Sequence, residues 1–350
     1  KYPKQEFFNL ERYTNITLFV KNIDEALPPW SLSNRLKWFV ERRFFKSVYP
    51  RLENYLIDNN FDYIFPETLS HRNDKVNVGS WIADFQYHHF PQGASKEVTA
   101  SAERTISTIA NNAKKVVLSS HYCEKDCLRL FPVTSGKTFV MPFSVALDSS
   151  VQQFSDFTSI REKYNLPAQF LMVANLFAPT KNHKTLFDAM GILRKRGMIV
   201  NLVCTGNIVD YRNLSFANDI LQMLTNNQIR SQVHLLGLIP RSDQLALYRM
   251  AVALVQPSIN EGWSTSVEEA KALGKNLLMS DIEVHQEQYP DNPYMFESLN
   301  ANDMAEKMNN LWQKNINTVF PQLDAEKMAL EAYQLKIKAF GNRFLEIASA

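Results

Sequence analysis

The chain has 350 residues and a formal net charge of +2, with 45% apolar and 21% charged residues. Since domains average about 150 residues, this length predicts two globular domains, each with its own core. A near-neutral charge gives no support for nucleic-acid binding, which usually requires a strongly basic domain. No apolar run is long enough to predict a spanning helix, and no signal peptide is visible.

The cysteines are few and odd in number: Cys123, Cys127 and Cys204. Such a set argues against a disulfide framework and for a reducing compartment, so we expect a cytoplasmic protein. Cys123 and Cys127 are one helical turn apart with no further cysteine nearby, which gives no basis for a zinc site.

The first half of the chain shows α/β character with irregular spacing. Strands are predicted at Ile16–Val20, Tyr63–Phe65, Val76–Ile82, Val116–Leu118 and Thr138–Met141. Helices are predicted at Leu32–Asn59, Lys96–Asn112 and Tyr122–Leu130. These elements assign residues 1–150 to a first domain. The polar stretch Ala146–Gln153, together with Asp156–Pro167, is interpreted as the interdomain linker.

A basic and aromatic segment lies inside the first of these helices. Residues 30–51 carry six Lys or Arg and one Glu. The Arg35–Lys46 helix could therefore rest on an anionic membrane surface as a peripheral contact. An ordinary amphipathic helix of the domain explains the same pattern, so both interpretations stay open.

The second half, residues 151–330, alternates strands and helices regularly. Strands are predicted at Phe170–Ala174, Val200–Cys204, Val233–Leu236, Ala251–Val255 and Asn276–Met279. Helices are predicted at Lys184–Arg196, Phe216–Asn226, Ser242–Met250, Ser264–Leu273 and Asp324–Ser349. This alternation indicates βαβ units and a parallel sheet, whose ligands bind beyond the carboxyl ends of the strands. No GxGxxG sequence occurs, so a dinucleotide-dependent oxidoreductase has no positive support.

The strongest candidate site lies between Val255 and Glu269. A buried strand ends near Pro257, Glu261 and Gly262 follow in a short loop, and a helix starts among Ser264, Thr265 and Ser266. The free amides and partial positive charge of a helix N-terminus suit a diphosphate. Gly262 would let the backbone approach a ligand, and carboxylates accept hydrogen bonds from sugar or ribose hydroxyls.

A purely structural interpretation accounts for the same residues. The three hydroxyl side chains are ordinary residues for the start of a helix. Ser266 with Glu269 also fits a capping box.

This segment resembles the signature of family 4 of the retaining GT-B glycosyltransferases, in which two glutamates stand eight positions apart around a glycine. The resemblance extends through residues 170–315. It includes the segments Ala174–His183, Val203–Asn207, Leu236–Arg241 and Ser280–His285. It implies a GT-B fold, in which two Rossmann-like domains with parallel sheets face each other across a cleft.

The resemblance also implies roles for individual residues. Glu261 would contact the donor sugar, Glu269 the ribose hydroxyls and Lys181 the donor diphosphate. Gly206 and Ile239 would line the ribose and base pocket, while Arg241 would either stack on the base or lie on the surface. Many family members carry an arginine where Asn175 stands, so one phosphate contact is absent or is replaced, with Lys184 as a candidate.

In the first domain the best candidate segment is Trp81–Pro91. It resembles the family segment that faces the donor across the cleft, where relatives have a Trp-Ile-Pro-Asp-Phe-Gln-His pattern; Tyr87 replaces that His. Asp84, then His89, then His88 are the candidate acceptor-side residues, since acceptors need hydrogen-bond partners and a proton acceptor. The strand and glycine-rich loop that often open the family are not found. Either a leading segment before Lys1 is missing or this domain is reduced.

The resemblance implies a retaining transfer from a nucleotide diphosphate sugar to a glycan or lipid-linked acceptor in surface polysaccharide biosynthesis. No DxD-type pair is found, so we predict no metal and no cofactor besides the donor substrate. Residues 331–350 would form a C-terminal helix that packs back on the first domain. Two alternatives stay open: a GT-B sugar-nucleotide epimerase, and a non-catalytic GT-B binding protein.

Overall fold

The computed structural model describes residues 55–67, 77–91, 95–147, 156–208 and 216–350. Within these residues the chain forms two α/β units, each built on a parallel sheet. This architecture confirms the predicted fold class. The predicted strand at Ile16–Val20 and the basic Arg35–Lys46 helix lie outside the described residues, so neither prediction is tested.

The first unit has a four-stranded parallel sheet in the order β1-β2-β3-β4. Its strands are β1 (Ile64–Glu67), β2 (Val78–Ile82), β3 (Lys115–Leu118) and β4 (Thr138–Val140). Its helices are α1 (Gln86–His89), α2 (Lys96–Asn112) and α3 (His121–Leu130). Each strand overlaps a predicted one, because short apolar runs between turn residues mark buried strands well. A core that includes Ile82, Phe85 and Cys123 packs β2 against α3.

The second unit has a six-stranded parallel sheet in the order β10-β9-β8-β5-β6-β7. Its strands are β5 (Leu171–Ala174), β6 (Leu202–Thr205), β7 (Val233–Gly237), β8 (Ala253–Gln256), β9 (Asn276–Ser280) and β10 (Met295–Phe296). Its helices are α4 (Phe157–Lys163), α5 (His183–Lys195), α6 (Phe216–Asn226), α7 (Arg241–Met250), α8 (Thr265–Ala272), α9 (Glu283–Gln288), α10 (Ala301–Asn315) and α11 (Leu323–Ser349).

Helices cover both faces of this second sheet. Along β5, Leu171 and Val173 pack into one apolar cluster while Met172 packs into another on the opposite face. Successive side chains of a strand point to opposite faces, so a strand that is apolar at every position requires cover on both sides. The continuous apolar runs in the sequence reflect this arrangement.

The segment Asp156–Pro167 corrects the predicted linker. Asp156 caps α4, accepting a hydrogen bond from the Ser159 amide at 3.1 Å, and Ile160 of that helix is buried in the second unit. The polar residues of this segment therefore cap α4 or lie on its exposed face. At the other end of the chain, α11 contacts both units: Tyr333 packs beside Ala272, and Ile347 packs against Val117.

Candidate functional site

The candidate site lies where the strand order of the second sheet reverses. Strands β5 and β8 are neighbours, but the chain leaves β5 toward β6 and leaves β8 toward β9. At such a switch point the two following loops diverge and leave a crevice beyond the strand ends. The loop after β5 carries Lys181, and the loop after β8 carries Glu261 and Gly262. The topology of the sheet thus brings Lys181 close to the loop that carries Glu261 and Gly262.

Lys181 and Glu261 form an ion pair in this crevice. Lys181 Nζ donates to Glu261 Oε1 at 2.5 Å, with the two side chains 23% and 11% exposed. Gln256 Nε2 donates to the same oxygen at 2.8 Å, and Asn175 Nδ2 donates to Gln256 Oε1 at 3.0 Å. Asn175 therefore orients Gln256, which in turn holds the carboxylate of Glu261.

The charge state of Glu261 depends on this pairing. Burial raises its pKa, but the Lys181 ammonium and the hydrogen bonds to the carboxylate outweigh burial and hold the pKa below its ordinary value. The site thus contains a fixed negative charge beside a fixed positive one. Such a pair can bind sugar hydroxyls on one side and a phosphate on the other.

Local structure holds Lys181 in place. It ends a short 3-10 turn, Pro179–Lys181, and Asn182 follows with a left-handed backbone (φ 52) that starts α5. Asn182 Nδ2 donates to the Pro257 carbonyl at 3.1 Å, and the Ile259 amide donates to the Thr180 carbonyl at 2.9 Å. These bonds join the loops after β5 and β8, so both residues of the ion pair belong to one fixed unit.

Glu269 is buried on α8 and is also ion-paired, with Arg241 at the start of α7. Arg241 was predicted to stack on a base or lie on the surface; its side chain is half exposed and its guanidinium donates to Glu269. Tyr248 lies beside the same carboxylate. Ile239 packs against the core and Gly206 lies beside the Asn175 backbone, so both border the same strand ends.

The predicted capping box at the start of α8 is wrong. The helix begins one residue after Ser264, and Ser266 Oγ instead donates to the Ala174 carbonyl at 3.4 Å. Ser264 is fixed by Gln288, whose Nε2 donates to its carbonyl at 2.8 Å and whose Oε1 accepts from its amide at 3.2 Å. Thr265 is exposed at the first helical position. A distant glutamine therefore fixes the residue before the helix, while the Ser264 side chain makes no capping hydrogen bond.

Gly262 also has a structural role that the sequence did not predict. A Cβ placed on it would lie 1.8 Å from the carbonyl oxygen of Ala83, in the first unit. Its missing side chain thus permits close approach of two protein backbones. Cys123 Sγ contacts both carbonyls of this junction, Ala83 at 3.4 Å and Gly262 at 3.8 Å.

The same junction brings Asp84 to the crevice. A Cβ on Gly262 would lie 3.1 Å from the Asp84 Cβ, so Asp84 lies directly across from the Glu261 loop. Its Oδ1 accepts from the Gln86 amide at 2.9 Å, and Gln86 Nε2 donates to Thr180 Oγ1 at 3.3 Å. The two units are therefore joined beside Asp84 and Lys181.

His89 takes part in a different network. Its Nε2 lies 2.5 Å from Asp126 Oδ2 and 3.2 Å from the Tyr122 hydroxyl, and Arg129 donates to Asp126 at 2.6 Å. Asn260, next to Glu261, donates to the Tyr122 hydroxyl at 3.5 Å. His89 thus reaches the crevice through Tyr122 and Asn260. Of the other candidates, His88 is exposed, and Lys184 pairs with Asp188 on the surface of α5.

Sequence reasoning missed several polar residues around Glu261. Asn260 and His285 are buried, and within the described part of the chain Asn260 Oδ1 and His285 Nε2 have no hydrogen-bond partner. Burial lowers the pKa of His285 to about 4 despite the nearby Glu261 charge. Buried polar atoms without partners are rare in proteins and point to a ligand or water. His285 could have been noticed, because it ends one of the family-like segments.

Among the described residues, no group of three or more His, Cys, Asp or Glu side chains could hold a metal ion. No described helix combines the length and apolar character needed to cross a membrane.

The two-domain α/β architecture places the protein in the GT-B class, as comparison with solved structures shows. Sucrose-phosphate synthase from Thermosynechococcus elongatus superposes with a TM-score of 0.62 at 18% identity, covering 91% of this chain and 80% of its own. Anabaena Alr3699/HepE in complex with UDP gives a TM-score of 0.60 at 14% identity, covering 78% and 72%.

The sequence identifies the family within that class. Residues 156–327, which contain the whole second sheet, match the family of glycosyl transferases group 1. Over this segment the chain matches the group 1 glycosyltransferases, and the predicted resemblance is confirmed.

Curated relatives carry related names. O-antigen chain mannosyltransferase B of Escherichia coli is 22% identical over 244 residues, 68% of this chain and 62% of the relative. O-antigen chain mannosyltransferase RfbU of Salmonella typhimurium is 30% identical over 180 residues, 49% and 44% of the two chains. The chain thus spans less than two thirds of the length of these relatives.

Proposed function

We propose that the protein is a retaining hexosyltransferase that moves a sugar from a nucleotide diphosphate sugar to a glycan or lipid-linked acceptor in surface polysaccharide biosynthesis. The Lys181–Glu261 ion pair at the switch point, beside the start of α8, is the observation that carries this proposal. The relatives' names make mannose the first donor sugar to test. The reaction is proposed to need no metal.

The diphosphate would be held by Lys181 and by the first amides of α8, near Ser264, Thr265 and Ser266. A helix N-terminus and an ammonium both stabilise negative charge, and this charge grows on the leaving diphosphate as the glycosidic bond breaks. Both groups are fixed before the donor arrives, because Gln288 holds Ser264 and the Asn182–Pro257 hydrogen bond holds the Lys181 turn.

The two carboxylates would bind the neutral parts of the donor. Glu261 would accept hydrogen bonds from hydroxyls of the transferred sugar, and Glu269 from the ribose hydroxyls. Both are paired with a cation, Lys181 and Arg241 respectively. Donor binding would therefore exchange partners: the diphosphate takes over Lys181, and the carboxylates turn to hydroxyls. Lys181 and the two carboxylates would therefore each have a hydrogen-bonding partner in both states, which limits the cost of burying them.

The acceptor would approach from the first unit. Asp84 lies across the junction from the Glu261 loop and offers a carboxylate to an acceptor hydroxyl. His89 is placed one step further back, behind Tyr122 and Asn260. Asp84 is therefore the first acceptor-side residue to test, and His89 acts through the network that supports the crevice.

A thermal-shift screen of UDP-, GDP- and dTDP-hexoses tests the donor proposal. A ligand at a hundredfold excess over its dissociation constant stabilises by about 2.7 kcal/mol. The stabilising donor is then incubated with and without lipid-linked glycan, and the anomeric configuration of the product is read by NMR. Donor isomerised without acceptor would favour the epimerase, binding without any product would favour the non-catalytic protein, and an inverted product would overturn the retaining assignment.

A further inference from the structure

A separate cavity lies on the far side of the second unit from the candidate site. It encloses about 330 Å³ between the end of α8, the start of β9 and the middle of α11. Asn276 and Leu277, at the beginning of β9, form part of its lining. The candidate site lies beyond the carboxyl ends of the same strands, so the two sites occupy opposite edges of the sheet.

The cavity's lining is strongly basic. Lys271, Lys275 and Lys336 contribute to it, and no Asp or Glu occurs among the described residues that line it. Lys271 Nζ donates to Glu268 Oε1 at 2.9 Å, behind the wall, and to the Gln288 carbonyl at 2.7 Å. Lys275 Nζ donates to the Arg249 carbonyl at 2.9 Å. Outside the lining, Glu268 pairs with Lys271 and Glu326 lies near Lys275, while Lys336 adds a third ammonium group to the lining.

Lys271 and Lys336 act on each other directly. Burial lowers the pKa of Lys271 to about 8; Glu268 counteracts this shift, while the neighbouring Lys336 ammonium adds to it. Two ammonium groups that repel each other gain stability when an anion lies between them. Because Lys271 and Lys336 line the same cavity, one doubly charged group bound there can contact both.

Three tyrosines form another part of the lining. Tyr289, Tyr294 and Tyr333 line the cavity, with Lys271 Nζ 5.9 Å from the centre of the Tyr289 ring and Lys336 Nζ 5.9 Å from that of Tyr333. Aromatic faces beside hydrogen-bonding groups bind the body of a small polar ligand. A cavity of this volume lies at the lower end of the range that small-molecule sites occupy.

We propose that this cavity binds a small soluble phosphate monoester of about the size of a sugar phosphate. Its phosphate bridges the ammonium groups of Lys271 and Lys336, and its body lies against the tyrosine rings. The proposal does not depend on the function proposed for the candidate site, because the two sites share no residue. Lys336 is the better residue to change, since Lys271 also bonds to Glu268 and Gln288, which fixes Ser264 of the candidate site.

Lysine acetylation, read residue by residue by peptide mass spectrometry, tests this proposal on the full chain. Glucose 1-phosphate is the probe, and glucose at the same concentration is the neutral control, with ionic strength matched. Labelling of Lys271 and Lys336 should fall about tenfold when the ester is present at roughly ten times its dissociation constant. Lys338, exposed two residues further along α11, should not change.

Substitution then separates a built site from general charge attraction. In Lys336→Gln, protection of Lys271 by glucose 1-phosphate should be lost, whereas Lys338→Gln removes the same charge from the same helix and should retain it. Equal protection of Lys338, or unchanged protection of Lys271 in Lys336→Gln, would overturn the proposal. So would protection seen only with phosphatidylglycerol vesicles, which would make the occupant a lipid surface. Equal protection by inorganic phosphate would overturn the role of the tyrosine wall.

Discussion

Lys181 Nζ lies 2.5 Å from Glu261 Oε1, although the two residues are 80 positions apart and follow different strands. The chain brings them together because β5 and β8 are neighbours at the switch point of the sheet. The Lys181 ammonium holds the pKa of Glu261 below its ordinary value despite burial of the carboxylate. Their separate effects on binding and on turnover can therefore be measured by changing one of them at a time.

Lys181→Ala should lower kcat far more than it weakens binding of the nucleoside. Charge on the leaving diphosphate grows in the transition state, so its ammonium partner matters most there. Removing one such donor typically costs about 10²–10³-fold in rate. Steady-state kinetics with the identified donor, beside calorimetric titration of the nucleoside, give the two quantities.

Lys184→Ala is the matched control for this experiment. Lys184 lies three residues further on and is paired with Asp188 on the surface of α5. Its substitution should therefore leave kcat and nucleoside affinity nearly unchanged. Equal losses in ground-state binding and in turnover for Lys181→Ala would show that Lys181 only binds the donor and does not further stabilise the transition state. A comparable loss in Lys184→Ala would show that Lys184 replaces the phosphate contact that Asn175 does not make.

Glu269→Ala should weaken donor and free nucleotide together, because it removes the proposed ribose acceptor. Losing a hydrogen bond to a charged group costs about 1.5–3 kcal/mol, which is roughly a tenfold to hundredfold rise in Kd. The loss also leaves Arg241 without its partner, so circular dichroism must show that the fold persists. Unchanged nucleotide affinity in a folded variant would remove Glu269 from the site.

Helices and strands of the second unit could be predicted well because their residues form continuous apolar runs or helical stripes. The exceptions are instructive. Helix α10 was not predicted, although Met304, Met308, Leu311 and Trp312 recur at helical spacing and are buried. Helix α4 was taken for part of a linker because its exposed face is polar.

The site could be predicted only as far as its residues belong to one continuous motif. Glu261, Glu269 and Lys181 were found by resemblance, and the sheet topology explains their convergence. Several partners that hold the site are distant in sequence: Asn175 orients Gln256, which contacts Glu261, and Gln288 fixes Ser264 just before α8. Local pattern cannot reveal such contacts, since they exist only once the sheet has formed.

Gly262→Ala should separate the two units without unfolding either. The added methyl would lie 1.8 Å from the Ala83 carbonyl oxygen, where neither backbone can yield without opening the junction. Transfer should then be lost, and small-angle scattering should show a larger radius of gyration. Gly341→Ala is the control: a Cβ there meets nothing within 4 Å, and alanine in a helix gains up to about 1 kcal/mol. A fully active Gly262→Ala would show that this close approach is dispensable.

Stability should fall as the pH is lowered below neutrality, because two histidines are buried in the neutral form. Burial lowers the pKa of His183 to about 3 and that of His285 to about 4, against 6.5 in the unfolded chain. The unfolded state therefore binds more protons below pH 6.5, and each histidine costs about 1.4 kcal/mol of unfolding free energy per pH unit down to about pH 4. Urea titrations between these limits measure the slope.

His183→Phe provides the control for this slope. The His183 ring stacks on Phe177 with centroids 4.1 Å apart, and neither ring nitrogen has a partner within the described residues. A phenyl ring should therefore keep the packing, retain stability at neutral pH and lower the slope by about half. An unchanged slope would show that His183 protonates in the folded protein.

Asp84→Asn should lower transfer to the acceptor while donor affinity stays near the parent value. The substitution keeps the side chain's size and its ability to accept from the Gln86 amide, so the junction with Thr180 should persist. What it removes is the negative charge that faces the Glu261 loop, and losing a charged hydrogen bond to the acceptor should cost about tenfold to hundredfold in kcat/KM for acceptor.

His89→Ala should act in the same direction but more weakly, because His89 reaches the crevice only through Tyr122 and Asn260. Donor affinity measured by calorimetry on both variants is the control. If both transfer sugar at the parent rate, the acceptor is bound elsewhere, and Tyr87 becomes the next residue to change.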